Sequence, residues 1–151
     1  MGNYEFYVNE RLGVVVARLS REDFKKAVYS AAMNRLVNRY QNTMLWGQEW
    51  LGSLNDYISG VFHKWFDKRF TQKNIVARAR CNFEDGDVFD EKIGTYIAAD
   101  RMDIKITEVA IKFVSEFLHI MCEFTDALDD HLDELYSFSC DTEANMYKWA
   151  E

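Results

Sequence analysis

Apolar and polar positions alternate at period two in three stretches of the chain and recur at helical spacing through most of the rest. Tyr4, Phe6 and Val8 alternate with Glu5 and Tyr7, Asn9 to Gly13 supplies turn residues, and Val14 to Leu19 is rich in β-branched side chains. That pattern predicts a hairpin with strands at about 4–8 and 13–19. Ile75, Ala77, Ala79, Cys81 and Phe83 alternate with Val76, Arg78, Arg80 and Asn82. A third strand, at about 75–83, is therefore predicted, with one apolar and one basic face.

Helical spacing takes over between and after these strands. Ser20 to Asp23 approximates a capping box, and Phe24, Ala27, Val28, Ala31, Leu36 and Tyr40 follow on one face, predicting a helix over 21–44. Trp50, Leu54, Tyr57, Val61 and Trp65 predict another over 46–70, with a break near Gly47 and a kink near Gly60. Asp90 caps a short helix to about Met102, and Thr107 opens a long one to about Phe138. In that last helix Ala110, Val114, Phe117, Met121, Phe124, Leu128, His131, Leu135 and Phe138 form a heptad seam with one polar member, His131. Val109, Ile111, Phe113, Leu118 and Ile120 widen its first half, which is expected to be buried, and the seam of its second half is expected to form a homodimer contact. The fold class expected is α+β: a small three-stranded antiparallel sheet with about four helices, in a single domain spanning 1–151.

Composition narrows this picture. Of 151 residues, 48% are hydrophobic and 15% aromatic, proline is absent, and the seven glycines are dispersed, so no linker divides the chain. No apolar run approaches the roughly 20 residues that span a bilayer. Met1 to Glu5 leads directly into a strand-like run, so no signal peptide is expected, and three cysteines (Cys81, Cys122, Cys140) without close spacing predict free thiols in a cytoplasmic protein. The net charge of −7 is unevenly spread. Residues 1–83 carry 13 Lys/Arg against 7 Asp/Glu, and residues 84–151 carry 5 against 18.

The segment Ala79-Arg80-Cys81, Glu84-Asp85, Phe89-Asp90, Gly94, Ala98 and Arg101 resembles a pattern in small phage and prophage accessory proteins, where a strand ending A-x-C leads through an acidic pair and Phe-Asp into a G-x-x-x-A-x-x-R helix. The resemblance covers about 25 residues and implies an origin in mobile elements, but no agreed activity. This chain lacks the usual proline before the acidic pair. Physically, Asp90 is an N-cap, Phe89 packs inward, and Gly94 and Ala98 permit close helix–sheet approach.

Candidate chemistry is sparse. His119, Cys122, Glu123 and Asp126 share a helix face at metal-ligand spacing, but no second ligand pair exists elsewhere, so a buried thiol and a satisfied histidine are expected instead. Glu84, Asp85, Asp87, Asp90 and Glu91 lack the order of a calcium loop. With no P-loop, G-x-S-x-G, dinucleotide turn or H-E-x-x-H, the chain reads as a non-enzyme without cofactor or metal. Two interaction readings remain. Acidic residues without any Lys or Arg fill 123–143, and Asp126, Asp129, Asp130, Asp133 and Glu134 form an acidic face. That face suits stoichiometric binding of a host protein, such as a nucleic-acid-binding enzyme, and so suits an anti-CRISPR-like inhibitor of a host defence nuclease. The alternative is direct nucleic-acid contact through Lys64, Trp65, Lys68, Arg69, Arg78 and Arg80, where basic and aromatic residues interleave. A non-catalytic helical oligomer built on the seam is the third reading.

Overall fold

The computed structural model describes the backbone of residues 4–40 and 48–148, and side chains at 4–36 and 55–138. Strands β1 (Glu5–Asn9), β2 (Val14–Ser20) and β3 (Asn74–Arg80) form one antiparallel sheet in the order β1-β2-β3. Helices α1 (Arg21–Tyr40) and α2 (Gln48–Arg69) lie between β2 and β3 in sequence, and α3 (Glu91–Lys148) follows. The α+β class and the antiparallel three-stranded sheet are as the periodicities predict. By compactness the chain divides into two units, residues 1–114 and 115–151.

The hairpin closes on a turn that only glycine enters cheaply. Gly13 adopts φ 58° and ψ 37°, and its N–H bonds Glu10 O at 3.1 Å. Asn9 caps the turn by accepting from the Leu12 N–H at 3.2 Å. Register then fixes which face is buried. Val15, Ala17 and Leu19 of β2 and Ile75, Ala77 and Ala79 of β3 turn inward, while Val76, Arg78 and Arg80 face out. β3 stops at Arg80, short of the expected 83, because Phe83–Asp85 turns into a single 3-10 turn.

Against the inner face the first unit builds an aromatic core. Phe24 and Val28 of α1, Ile58, Phe62 and Phe66 of α2, and Met102 and Phe113 of α3 are all buried. Phe62 is its centre, with ring centroids of Phe113 at 5.0 Å, Tyr29 at 5.1 Å and Phe66 at 5.7 Å. Ser20 begins α1 as expected: its hydroxyl accepts from the Asp23 N–H at 3.1 Å and donates to the Asp23 carboxylate at 2.6 Å. Asp67 ties α2 to α1, accepting from Lys25 at 2.8 Å and from Arg21. Those bonds, Lys25 first, hold its carboxyl below the usual carboxylate range. A carboxyl lowered in this way stabilises the fold above its unfolded pKa of about 3.9, and that stability is lost as pH falls through the folded value. Asp67→Asn should therefore have a lower urea midpoint than the parent at pH 7, and the two should converge as pH falls into the acid range.

Among the described residues three α-helices, not about four, complete the fold. The expected break between Met102 and Thr107 is absent, because no Gly or Pro interrupts the stretch and one buried row runs straight through it: Ala98, Met102, Ile106, Ala110 and Phe113. α3 also continues past Phe138 to Lys148. The all-round burial expected of residues 109–120 is corrected too. Ile111 and Ile120 are about half exposed, since α3 buries one stripe and nothing among the described residues covers its other side. α2 runs through Gly60 uninterrupted, whereas the break expected at Gly47 lies outside the described residues.

Two helical glycines have opposite roles. A Cβ on Gly94 would meet Val15 Cγ2 at 2.6 Å, so Gly94 is what lets α3 approach β2; Gly60 faces open space. Urea unfolding should show Gly94→Val losing about 1–3 kcal/mol by overpacking. Gly60→Ala should gain about 0.5–1 kcal/mol by helix propensity.

Candidate functional site

Several residues of the segment 79–101 hold the fold together. The Asp90 carboxylate accepts from the Ile93 N–H at 3.0 Å and so caps α3, and Ala98 is fully buried. Half-buried Phe89 places its ring 4.0 Å from where a Gly94 Cβ would sit. Arg101, the last residue of the pattern, donates from its guanidinium to the Arg78 carbonyl of β3.

The sequence-derived candidates fall into three places. Lys64, Lys68 and Arg69 are exposed along α2, which packs through Phe62 and Phe66 against α1 and α3. Trp65, named among the candidate nucleic-acid contacts, is half-buried, 5.3 Å edge-to-face from Phe113, with the Arg69 guanidinium 4.8 Å from its ring centroid. Arg78 and Arg80 point out from the opposite face of the sheet. The two halves of the basic/aromatic set therefore lie on different surfaces.

On the outer sheet face Arg78 and Arg80 gain neighbours that sequence order concealed. Across the sheet, Tyr7 pairs with Val16 and Val16 with Arg78. Arg18 extends over the same face, donating to Tyr7 Oη at 3.1 Å and to Asn74 Oδ1 at 3.0 Å, with Glu5 3.7 Å away. Arg101 and Lys105 of α3 reach the free edge of β3, where Lys105 Nζ donates to the Val76 carbonyl at 3.3 Å.

The acidic candidates lie in the second unit. Asp126, Asp129, Asp130, Asp133 and Glu134 are all exposed on α3. Glu134 Oε2 sits 3.5 Å from His131 Nδ1. The apolar side of this segment is also exposed: Phe124, Leu128, Leu132, Leu135 and Tyr136 range from 46% to 72%. Leu132 and Tyr136, outside the heptad count, broaden the seam to an arc of roughly 160° at about 100° per residue. Charge follows the units. Residues 1–114 hold 17 Lys/Arg against 15 Asp/Glu, a balance of +2; residues 115–151 hold 1 against 10, a balance of −9, together the −7 of the chain.

No group of three His, Cys, Asp or Glu side chains is placed to hold a metal among the described residues. His119 pairs with Glu123 at 3.4 Å. Cys122, expected to be buried, is an exposed free thiol, because it faces away from the seam; Cys81 is half-buried and free, and the Cys140 side chain lies outside the described set. No described helix is long and apolar enough to cross a membrane. No family model, curated protein or solved structure matches this chain.

Proposed function

We propose that this chain is a non-catalytic protein-binding module whose contact surface is α3 over residues 120–138. One observation carries the reading. A broad, exposed apolar arc lies on a helix with five exposed acids at 126–134 and no Lys or Arg between Lys112 and Lys148. A helix of this kind leaves large side chains in water until another surface covers them. Its charges select the cover: flanking residues of one sign set partner choice in helix–helix packing, and like charges brought together are destabilising. The partner that fits is a protein presenting an apolar groove or helix stripe rimmed with Lys and Arg. A nucleic-acid groove of an enzyme is one surface of that type, and this helix lying in it would inhibit the enzyme stoichiometrically.

A second copy of the chain fits less well, since its acids would face acids. Light scattering over a range of concentrations at low salt should give the one-chain mass of 17.8 kDa throughout. A two-chain mass at every concentration would assign the arc to a homodimer and end this reading.

A further inference from the structure

We propose that the outer face of the sheet is a separate binding site for single-stranded nucleic acid, with cations along β3 holding phosphates and the strands beside it carrying bases. The buried side chains of β2 and β3 face the described helices of the first unit, so Val14, Val16, Arg18, Val76, Arg78 and Arg80 form the other side of the sheet. The guanidinium groups of Arg78 and Arg80 are exposed and make no hydrogen bond or ion pair with any described residue. They border a concavity of about 650 Å³ whose floor is Leu12, Val14 and Val16.

What gives this face a direction is the edge of β3. An unpaired edge strand offers its carbonyls to any other strand. Here Arg101 and Lys105 occupy the carbonyls of Arg78 and Val76. Each side chain keeps further N–H donors free for a ligand, because a guanidinium has five and an ammonium three. The result is a second pair of cations beside Arg78 and Arg80. Arg78 and Arg80, two residues apart on a strand, are spaced by about 6.6 Å. Arg101 and Lys105, four apart on a helix, are spaced by about 6 Å.

Cations at these spacings match a chain of regularly spaced phosphates better than they match carboxylates distributed around a helix. The face also has somewhere for bases to go. In the row Arg78, Val16, Tyr7 the sheet passes from cation to apolar floor to aromatic ring over about 10 Å, two strand spacings. That is close to the reach of an extended nucleotide from phosphate to base. Tyr7 is 52% exposed and held in place by Arg18, whose guanidinium is 5.8 Å from the ring centroid. Phosphate contact combined with a stacking surface is how single strands are bound without sequence preference. Acids are few here. Glu5 is committed to Arg18, Asp90 caps α3, Glu108 lines a hollow with Lys105, and Asp87 lines one with Arg80.

The test is anisotropy of a fluorescein-labelled oligothymidylate of about 12 nucleotides titrated with the full chain between 50 and 200 mM KCl. Four phosphate contacts predict a slope of log K on log salt of about −2.8, or roughly a 50-fold loss of affinity over that range. Arg78→Ala/Arg80→Ala should halve the slope to about −1.4, roughly a sevenfold loss. Arg78→Lys/Arg80→Lys should retain the parent slope, and Lys64→Ala/Lys68→Ala should change nothing. A duplex of the same length should bind more weakly, since its bases cannot reach the floor. No binding at 50 mM, an unchanged slope in the alanine pair, or tighter duplex binding would overturn the proposal. So would self-association of the chain that the alanine pair abolishes, since that would give this face to a second copy's acidic helix.

Discussion

Phe62→Ala should cost about 3–5 kcal/mol of stability, the range for truncating a fully buried aromatic residue. The loss is expected at the upper end because Phe62 has no exposed surface and touches rings from three elements: Tyr29 of α1, Phe66 of α2 and Phe113 of α3. Removing it leaves a cavity whose walls are themselves stiff aromatic rings, which cannot collapse to refill it. A small domain is stable by only about 5–15 kcal/mol in total, so this one change should remove a large part of the margin. Urea unfolding followed by tryptophan fluorescence reads it directly, Trp65 lying 6.2 Å from the Phe62 ring. Phe62→Leu, which keeps most of the volume, should recover most of the loss. If Phe62→Ala cost under 1 kcal/mol, the convergence of α1, α2 and α3 on this ring would be wrong.

The second large effect is expected on binding. Reversing Asp129, Asp130, Asp133 and Glu134 to Lys should weaken a basic amphipathic partner by about 2 kcal/mol or more, roughly 30-fold. Exposed pairs contribute about 0.2–1 kcal/mol each, and the reversal both removes four attractions and creates four repulsions. The fold should tolerate it, since all four side chains are exposed and substitutions away from the core usually shift stability by about 0.5 kcal/mol or less. Replacing Leu128 and Leu132 with Ala should weaken the same partner through lost apolar contact, by about 1 kcal/mol or more each, with little change in salt dependence. A charge-reversed protein that bound as well as its parent would move the contact off this face.

Those expectations rest on features that differ in how plainly the chain writes them. The strand at 75–80 is legible because alternation has only one solution once one face is buried: Ile75, Ala77 and Ala79 go in, Arg78 and Arg80 go out. The caps at Ser20 and Asp90 are legible because an N-cap is a local bond three residues long. Reading Thr107 as a helix start fails for an instructive reason. Threonine caps a helix only where the backbone has left helical geometry, and the buried row Ala98, Met102, Ile106, Ala110 gives it no cause to leave. Exposure is the least legible property. Ile111, Ile120 and Cys122 look like core residues by type, and only the number of elements available to cover α3 decides that they are not.

The candidate surfaces divide in the same way. The acids at 126–134 share one helix and stay together by covalent spacing alone, so the sequence marks them. Leu132 and Tyr136 fall outside a strict heptad, so the seam underestimates how much apolar surface is exposed beside those acids. On the sheet, Arg78 and Arg80 are visible as a strand face, but Arg101 and Lys105 join them only through tertiary packing, more than 20 residues away in sequence. Trp65 is ambiguous in sequence because interleaved basic and aromatic residues describe a core-facing amphipathic helix as well as a nucleic-acid contact; in the fold its half-buried ring lies against Phe113.

The central claim, that residues 120–138 of α3 bind a basic, apolar partner surface, is tested most directly by swapping charges on both sides. Two designed peptide helices share a leucine seam and differ only in carrying Lys or Glu at the flanking positions; each is titrated against the parent chain and against the Asp129→Lys/Asp130→Lys/Asp133→Lys/Glu134→Lys variant. The predicted result is an inversion: the parent prefers the Lys-flanked peptide by about 30-fold or more, the variant prefers the Glu-flanked one, and both preferences shrink as salt rises. The parent binding neither peptide at low salt, or both proteins keeping the same preference, would contradict the account.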